Sequence, residues 1–192
     1  MQVGSSGLQV VANVRRAGRA RFDVSSPRLL PRTAAVEKAK GTSTDWHSPG
    51  GSEQFVRVRL ARQERLTYEP RLTMWPVVAE GVLLQQADGP TVVRTRLEHL
   101  AAMAEEPNVT LQALPFSRGA HAGMFGLYLL LSFPRRSALD AVRAANPTGA
   151  AWLEREPEMP RYRDLFADAR TSALSPAESA ARIKRIAKEP RA

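Results

Sequence analysis

The stretch from Pro107 to Pro134, PNVTLQALPFSRGAHAGMFGLYLLLSFP, constrains the fold of this chain more than any other. Val109, Leu111 and Ala113 alternate with Thr110, Gln112 and Leu114, the period-two pattern of a strand with one well-buried face. Pro115 ends that ladder because it has no backbone N–H to donate. A loop of mostly small residues follows, Ser117-Arg118-Gly119-Ala120-His121-Ala122-Gly123, and then the apolar run from Phe125 to Phe133. A bilayer crossing needs roughly 20 apolar residues. The run is far shorter and predicts a central strand covered on both faces. The two strands are expected to pair antiparallel, with the loop between them as the place for a site.

Composition narrows the class. A chain of 192 residues, 43% hydrophobic and 24% charged, is long enough for one globular domain with a real core and an appendage. It has no cysteine, which removes disulfides, thiolate zinc ligands and thiol nucleophiles and suits a reducing cytoplasm, the expected location. The histidines are His47, His99 and His121, too few for a histidine-rich metal site. Leu8 to Val14 is apolar but has no basic leader and ends at Arg15-Arg16, unlike a secretory signal. No membrane span is expected.

The formal net charge is +9, and the excess is weighted to the front: residues 1–51 carry eight Lys and Arg against three Asp and Glu. A basic front attracts nucleic acid or an acidic partner. The competing explanation is compositional, since arginine outnumbers lysine as it does in GC-rich bacterial genomes. A helix-turn-helix needs amphipathic helices about a tight turn, and residues 1–51 show none.

In chain order, Leu8 to Val14 and Arg19 to Val24 are candidate strands, Thr33 to Lys40 a short helix, and Thr42 to Gly51 a linker. Ser52 opens an arginine-rich helix that stops before Pro70. Met74 to Glu80 is a strand, which Pro76 places at an edge or a bulge. Pro90 opens the clearest helix, with Val93, Leu97, Leu100, Ala101 and Ala104 on one face and His99 on the solvent side. Arg135 to Ala145 reads as a helix by composition or as a poor strand. Asn146-Pro147-Thr148-Gly149 is a turn, and Ala151 to Leu153 a short strand. Two helices close the chain: Tyr162, Leu165, Phe166 and Ala169 stripe the first, and the capping box Ser175-Pro176-Ala177-Glu178 starts the second. The expected architecture is α+β: a small, mainly antiparallel sheet packed against several helices, two of them C-terminal. Residues 1–51 are a basic, poorly defined segment and linker, and 52–192 the domain.

FVRVRLARQERL from Phe55, MWPVVAEGVLL from Met74, the stretch Pro107 to His121 and the closing PRYRDLFADARTSALSPAESAARIKRIAKE together resemble a domain of unknown function. That domain usually follows an Xre-type helix-turn-helix in actinobacterial transcription regulators. The resemblance covers most of residues 54–189. It implies a regulatory role, recognition of a small protein encoded nearby or of another signal, and no catalytic residues. Residues 1–51 carry neither the DNA-binding module nor the connecting helices expected upstream. Where the family has a valine-rich strand ahead of NPTGAAWLE, this chain reads SALDAVRAA.

A regulatory, non-catalytic binding domain is therefore the expected function, with Trp75, Glu80, Arg118, His121 and Phe125 as the candidate binding residues. Exposed aromatics often carry much of an interface's binding energy. DNA binding through residues 1–51 is the alternative. An enzyme would use Glu80 and His121 as acid and base with Arg118 holding an anion. The chain has no Gly-rich phosphate loop, serine elbow or paired metal ligands, so no cofactor and no metal are expected.

Overall fold

The computed structural model describes residues 10–15, 66, 72–85, 89–121, 128–132, 140–146, 149–154 and 157–189. Among them, six strands form one sheet: β1 (Val10–Arg15), β2 (Thr73–Ala79), β3 (Gln112–Leu114), β4 (Tyr128–Ser132), β5 (Ala141–Asn146) and β6 (Gly149–Leu153). Their order across the sheet is β3-β2-β1-β4-β5-β6. The pairs β1–β2, β4–β5 and β5–β6 are antiparallel, while β2–β3 and β1–β4 are parallel. The helices are α1 (Glu80–Leu84), α2 (Pro90–Met103), α3 (Met159–Ser172) and α4 (Pro176–Lys188). The class is α+β with a mainly antiparallel sheet and two C-terminal helices, as the sequence predicts. No helix among the described residues is long and apolar enough to cross a membrane.

Both faces of the sheet are covered. Met74, Val78, Leu129, Leu131 and Ala141 pack with Val93, Leu97 and Leu100 of α2 and Ile183 and Ile186 of α4. On the opposite face, Val77, Leu114, Tyr128, Leu130 and Val142 meet Met159, Phe166 and Ala169 of α3. Each fully buried Leu, Ile or Val in these layers contributes about 1.5–3 kcal/mol relative to exposure. Tyr128 to Leu131 are all buried, so the apolar run does form a central strand covered on both sides.

The local signals act where the residues place them. Gly89 precedes Pro90, which takes the first turn of α2, where a missing N–H costs nothing. Ser175 accepts the backbone N–H of Glu178, whose side chain accepts the N–H of Ser175, completing the capping box of α4. Asn146 pairs with Gly149 across the two residues that join β5 to β6.

Four expectations are corrected. The strands on either side of the 117–123 loop are not neighbours: β2 and β1 lie between β3 and β4. Their relative direction is antiparallel, but the link between them spans three strand spacings, about 14 Å. β3 is buried on both faces rather than one, because Gln112 and Leu114 point at the α3 layer while Ala113 points at α4. β2 is interior and keeps one register, with Pro76 neither at an edge nor at a bulge. Met74 donates to the Asn108 carbonyl at 2.8 Å and accepts from Thr110 at 2.9 Å, so by alternation Pro76 faces the same neighbour. There the ladder is already open, between the bridge at Met74 and the pairing of Val77 with Gln112, so the missing donor is tolerated. His99 is half-buried rather than solvated, and that burial lowers its pKa.

Of the segment that reads as either helix or strand, Ala141–Asn146 forms β5; Pro147 and Thr148 of the expected turn lie outside the described residues. β1, from the basic front, sits between β2 and β4, so the sheet draws on both sides of residue 51. The expected strand at 19–24, helix at 33–40, linker at 42–51 and nearly all of the arginine-rich helix lie outside the described residues. Leu66 is the exception; it is buried, and its carbonyl accepts from the Asn108 side chain at 2.9 Å.

Candidate functional site

The candidate residues fall into two separate anchor points, one on each side of β2. The first is built on Glu80, which opens α1 directly after β2 and is 5% exposed. Its Oε1 accepts Nε of Arg182 at 2.8 Å and also bonds a terminal nitrogen of the same guanidinium. Its Oε2 accepts the backbone N–H of Phe116 at 2.9 Å. A buried carboxylate is tolerated only when paired and hydrogen-bonded, and here both oxygens are engaged. One side chain thus ties α1 to α4 and to the turn that follows β3.

That turn, Phe116–Arg118, is a single 3-10 turn closed by Gly119 at φ 65, a value that favours glycine. The ring of Phe116 lies against Gly81, where a Cβ would meet it at 3.3 Å. Even so, Phe116 remains 67% exposed. Ser117, Arg118, Gly119 and Ala120 are exposed after it, and His121 is half-buried. The Nδ1 atom of His121 is buried without a hydrogen-bond partner among the described residues.

The second anchor is Trp75, whose side chain points at the α3 layer. Its indole N–H donates to Gln112 Oε1 at 2.7 Å. The Gln112 amide nitrogen donates in turn to the carbonyls of Leu174 at 2.8 Å and Arg170 at 3.4 Å, at the end of α3. The Arg170 guanidinium carbon lies 3.7 Å from the centroid of the Trp75 ring, a cation–π contact, and Phe166 meets the indole edge-on at 6.4 Å. Further along this face the Tyr128 ring packs against Tyr162 at 5.0 Å, and its hydroxyl is buried without a partner among the described residues. Burial, with Tyr162 and Asp168 nearby, pushes the Tyr128 phenol well above its ordinary pKa.

The structure therefore brings Glu80 together with the start of the loop that carries Arg118 and His121, and directs Trp75 elsewhere. Phe125 lies outside the described residues. Sequence reasoning missed Arg182, Phe116, Gln112 and Arg170. Gln112 had a signal, a polar residue inside an apolar strand. Arg182 had little: it flanks the Ser179-Ile183-Ile186 stripe, and nothing local indicates that its partner stands near residue 80. No group of three or more His, Asp or Glu that could hold a metal ion occurs among the described residues.

The fold and these anchors define an α+β domain with a structurally committed buried ion pair and an exposed turn. Within that class the chain belongs to the family described as a domain of unknown function (DUF5753), whose model matches residues 27–185. No curated protein and no solved structure matches the chain.

Proposed function

We propose that this is a non-catalytic regulatory domain of a helix-turn-helix-type transcription regulator, recognising a small protein encoded nearby or another signal. The observation that carries the reading is the commitment of Glu80. The carboxylate that acid–base chemistry would need is spent on Arg182 and on the Phe116 N–H. The turn it anchors through the Phe116 N–H exposes Phe116 and Arg118, an aromatic and a guanidinium, residue types enriched at interfaces. The test is transcript profiling in cells carrying the wild-type chain, its deletion, or the double variant Phe116→Ala/Arg118→Ala. The double variant should fold normally and reproduce the deletion profile. Unchanged transcripts on deletion would remove the regulatory role, and a folded variant with wild-type transcripts would remove the loop.

The basic front favours a second reading, DNA binding by residues 1–51. β1 lies inside the sheet, so truncation is a poor test, and Arg16, Arg19 and Arg21 should be changed to Gln instead. Anisotropy of a labelled duplex should then show affinity and salt dependence falling together, since each lost phosphate contact lowers the salt slope by about one. Equal binding by both forms would rule this reading out.

A further inference from the structure

We infer that α3 is a lid on its face of the sheet, hinged at Ala173-Leu174 and able to open while α2 and α4 stay in place. This goes beyond the regulatory reading above and does not depend on it.

The two ends of α3 are held unequally. At the C-terminal end, Gln112 donates to the carbonyls of Arg170 and Leu174, and the Leu174 N–H donates to the Ala113 carbonyl at 2.9 Å. Ala173 leaves the helix there in extended backbone, φ −78 and ψ 161, the kind of element-terminal position at which hinges turn. At the N-terminal end, Glu158 stands at the cap position in helical backbone, and its side chain makes no capping bond. The Tyr162 N–H reaches the Glu158 carbonyl only at 3.4 Å, beyond the usual range. The ion pair of Arg163 with Asp140 lies on this half, at the surface, where such pairs stabilise little.

The surface beneath α3 is also costly to keep dry. The Tyr128 hydroxyl, Glu158 Oε2 and Arg170 Nε are buried without a hydrogen-bond partner among the described residues. Each gives up water without replacement, a penalty that opening relieves. Against it stands little apolar burial, since within α3 only Met159, Phe166 and Ala169 are buried. The layer on the other face is better tied. α2 and α4 pack side by side, Arg96 of α2 donates to the Val82 and Gln85 carbonyls, and Arg182 of α4 holds Glu80. Segments with few buried apolar contacts open first. Opening uncovers Tyr128, Leu130 and Val142, the patch on which Met159 and Phe166 rest.

The test is native-state hydrogen exchange of the full chain, read amide by amide by NMR. A helix of 14 residues detached from the sheet holds its own hydrogen bonds poorly, so opening exposes them to exchange. Protection factors in α3 should lie at least about tenfold below those in α2 and α4, while the Leu174 N–H at the hinge keeps the protection of α4. Tyr128→Phe removes the orphaned hydroxyl and should slow exchange in α3 roughly tenfold. Ile186→Val trims the core under α4 and should hasten exchange there several-fold, leaving α3 unchanged. One protection factor shared by α3, Leu174 and α4 would overturn the inference. So would loss of protection at Leu174 together with α3, which would remove the hinge. Tyr128→Phe that leaves α3 exchange unaltered or faster would show that the hydroxyl has a partner when closed, and would overturn it too. Faster exchange of α3 in Ile186→Val, matching that of α4, would mean that α3 opens only when the whole chain unfolds, and the lid would be lost.

Discussion

At the β3 edge, Ala113 donates its N–H to Ser179 Oγ at 2.8 Å and accepts from the Leu174 N–H at 2.9 Å, so the junction of α3 and α4 occupies the place of a seventh strand. At the β6 edge no described residue does the same. The closed edge is further fixed by Gln112, which bonds Trp75 and the end of α3, and by the Glu80–Arg182 pair beside the turn that follows β3. The open edge carries only alanine, glycine, leucine and a half-exposed tryptophan. Among the described residues the ladder of β3 is continued by side-chain and main-chain partners from the α3–α4 junction, and that of β6 is not. An end held by polar networks tolerates little change, whereas exposed positions such as Ala151 and Trp152 tolerate more.

The largest effect should come from the closed side. Glu80→Ala leaves Arg182 without its carboxylate and the Phe116 N–H without its acceptor. Breaking a buried pair costs about 3–5 kcal/mol. Arg182 keeps 31% of its side-chain surface in water, so a loss of about 2–3 kcal/mol is expected. At about 2–4 °C per kcal/mol, a thermal melt should resolve it, and adding Arg182→Met should recover part. A melt equal to wild type would show that the pair is not what holds the closed end.

Next is Ser179→Ala, which strips the side-chain acceptor from a buried N–H and should cost about 1–3 kcal/mol. Exchange should accelerate at Ala113, making the two edges more alike; unchanged exchange there would break the comparison. A smaller, pH-dependent effect belongs to His99 on α2. Its folded pKa is lowered by burial from the ordinary 6.5, so below that value the unfolded chain binds more protons. Stability contributed by the neutral ring is complete above about 6.5 and is lost as pH falls through the window beneath it. His99→Gln should flatten that slope in melts between pH 7 and 5 (roughly the range over which histidines titrate), and an unaltered slope would assign it elsewhere. Trp152→Ala should do least, within about 0.5 kcal/mol; a larger loss would mean that the open edge is already covered.

The sequence was most informative where a signal is local. The stripe of α2, the capping box of α4 and the buried run of β4 are each set by residues a few positions apart, and all three form as expected. Strand order was not legible. Two good strands around a short loop look like a hairpin, and only the whole sheet reveals that β1 and β2 are equally apolar and take the places between them. The candidate site was half legible. Glu80 stood out as a carboxylate at a strand end, but its partner Arg182 lies on a helix of otherwise ordinary composition. Trp75 is committed to Gln112, Arg170 and Phe166, contacts that sequence spacing does not encode.

β1 has one more consequence, for the order of events in folding. Val11 takes Val77 on one side and Tyr128 on the other, so β1 must wait for β2, which ends at Ala79, and for β4, which ends at Ser132, before both neighbours are complete. Pairings this distant close slowly, because the entropy of loop closure is lost before the contact forms. β4, β5 and β6 are antiparallel neighbours in both sequence and sheet and are positioned to assemble first, leaving β1 to enter a gap between preformed neighbours. Pulse-labelled exchange during refolding should therefore protect β1 amides last, and simultaneous protection of β1 and β5 would refute that order. Until β1 arrives, the β1-facing side of β4 is an unpaired apolar edge, and the vulnerable interval in folding is the one before β1 is inserted.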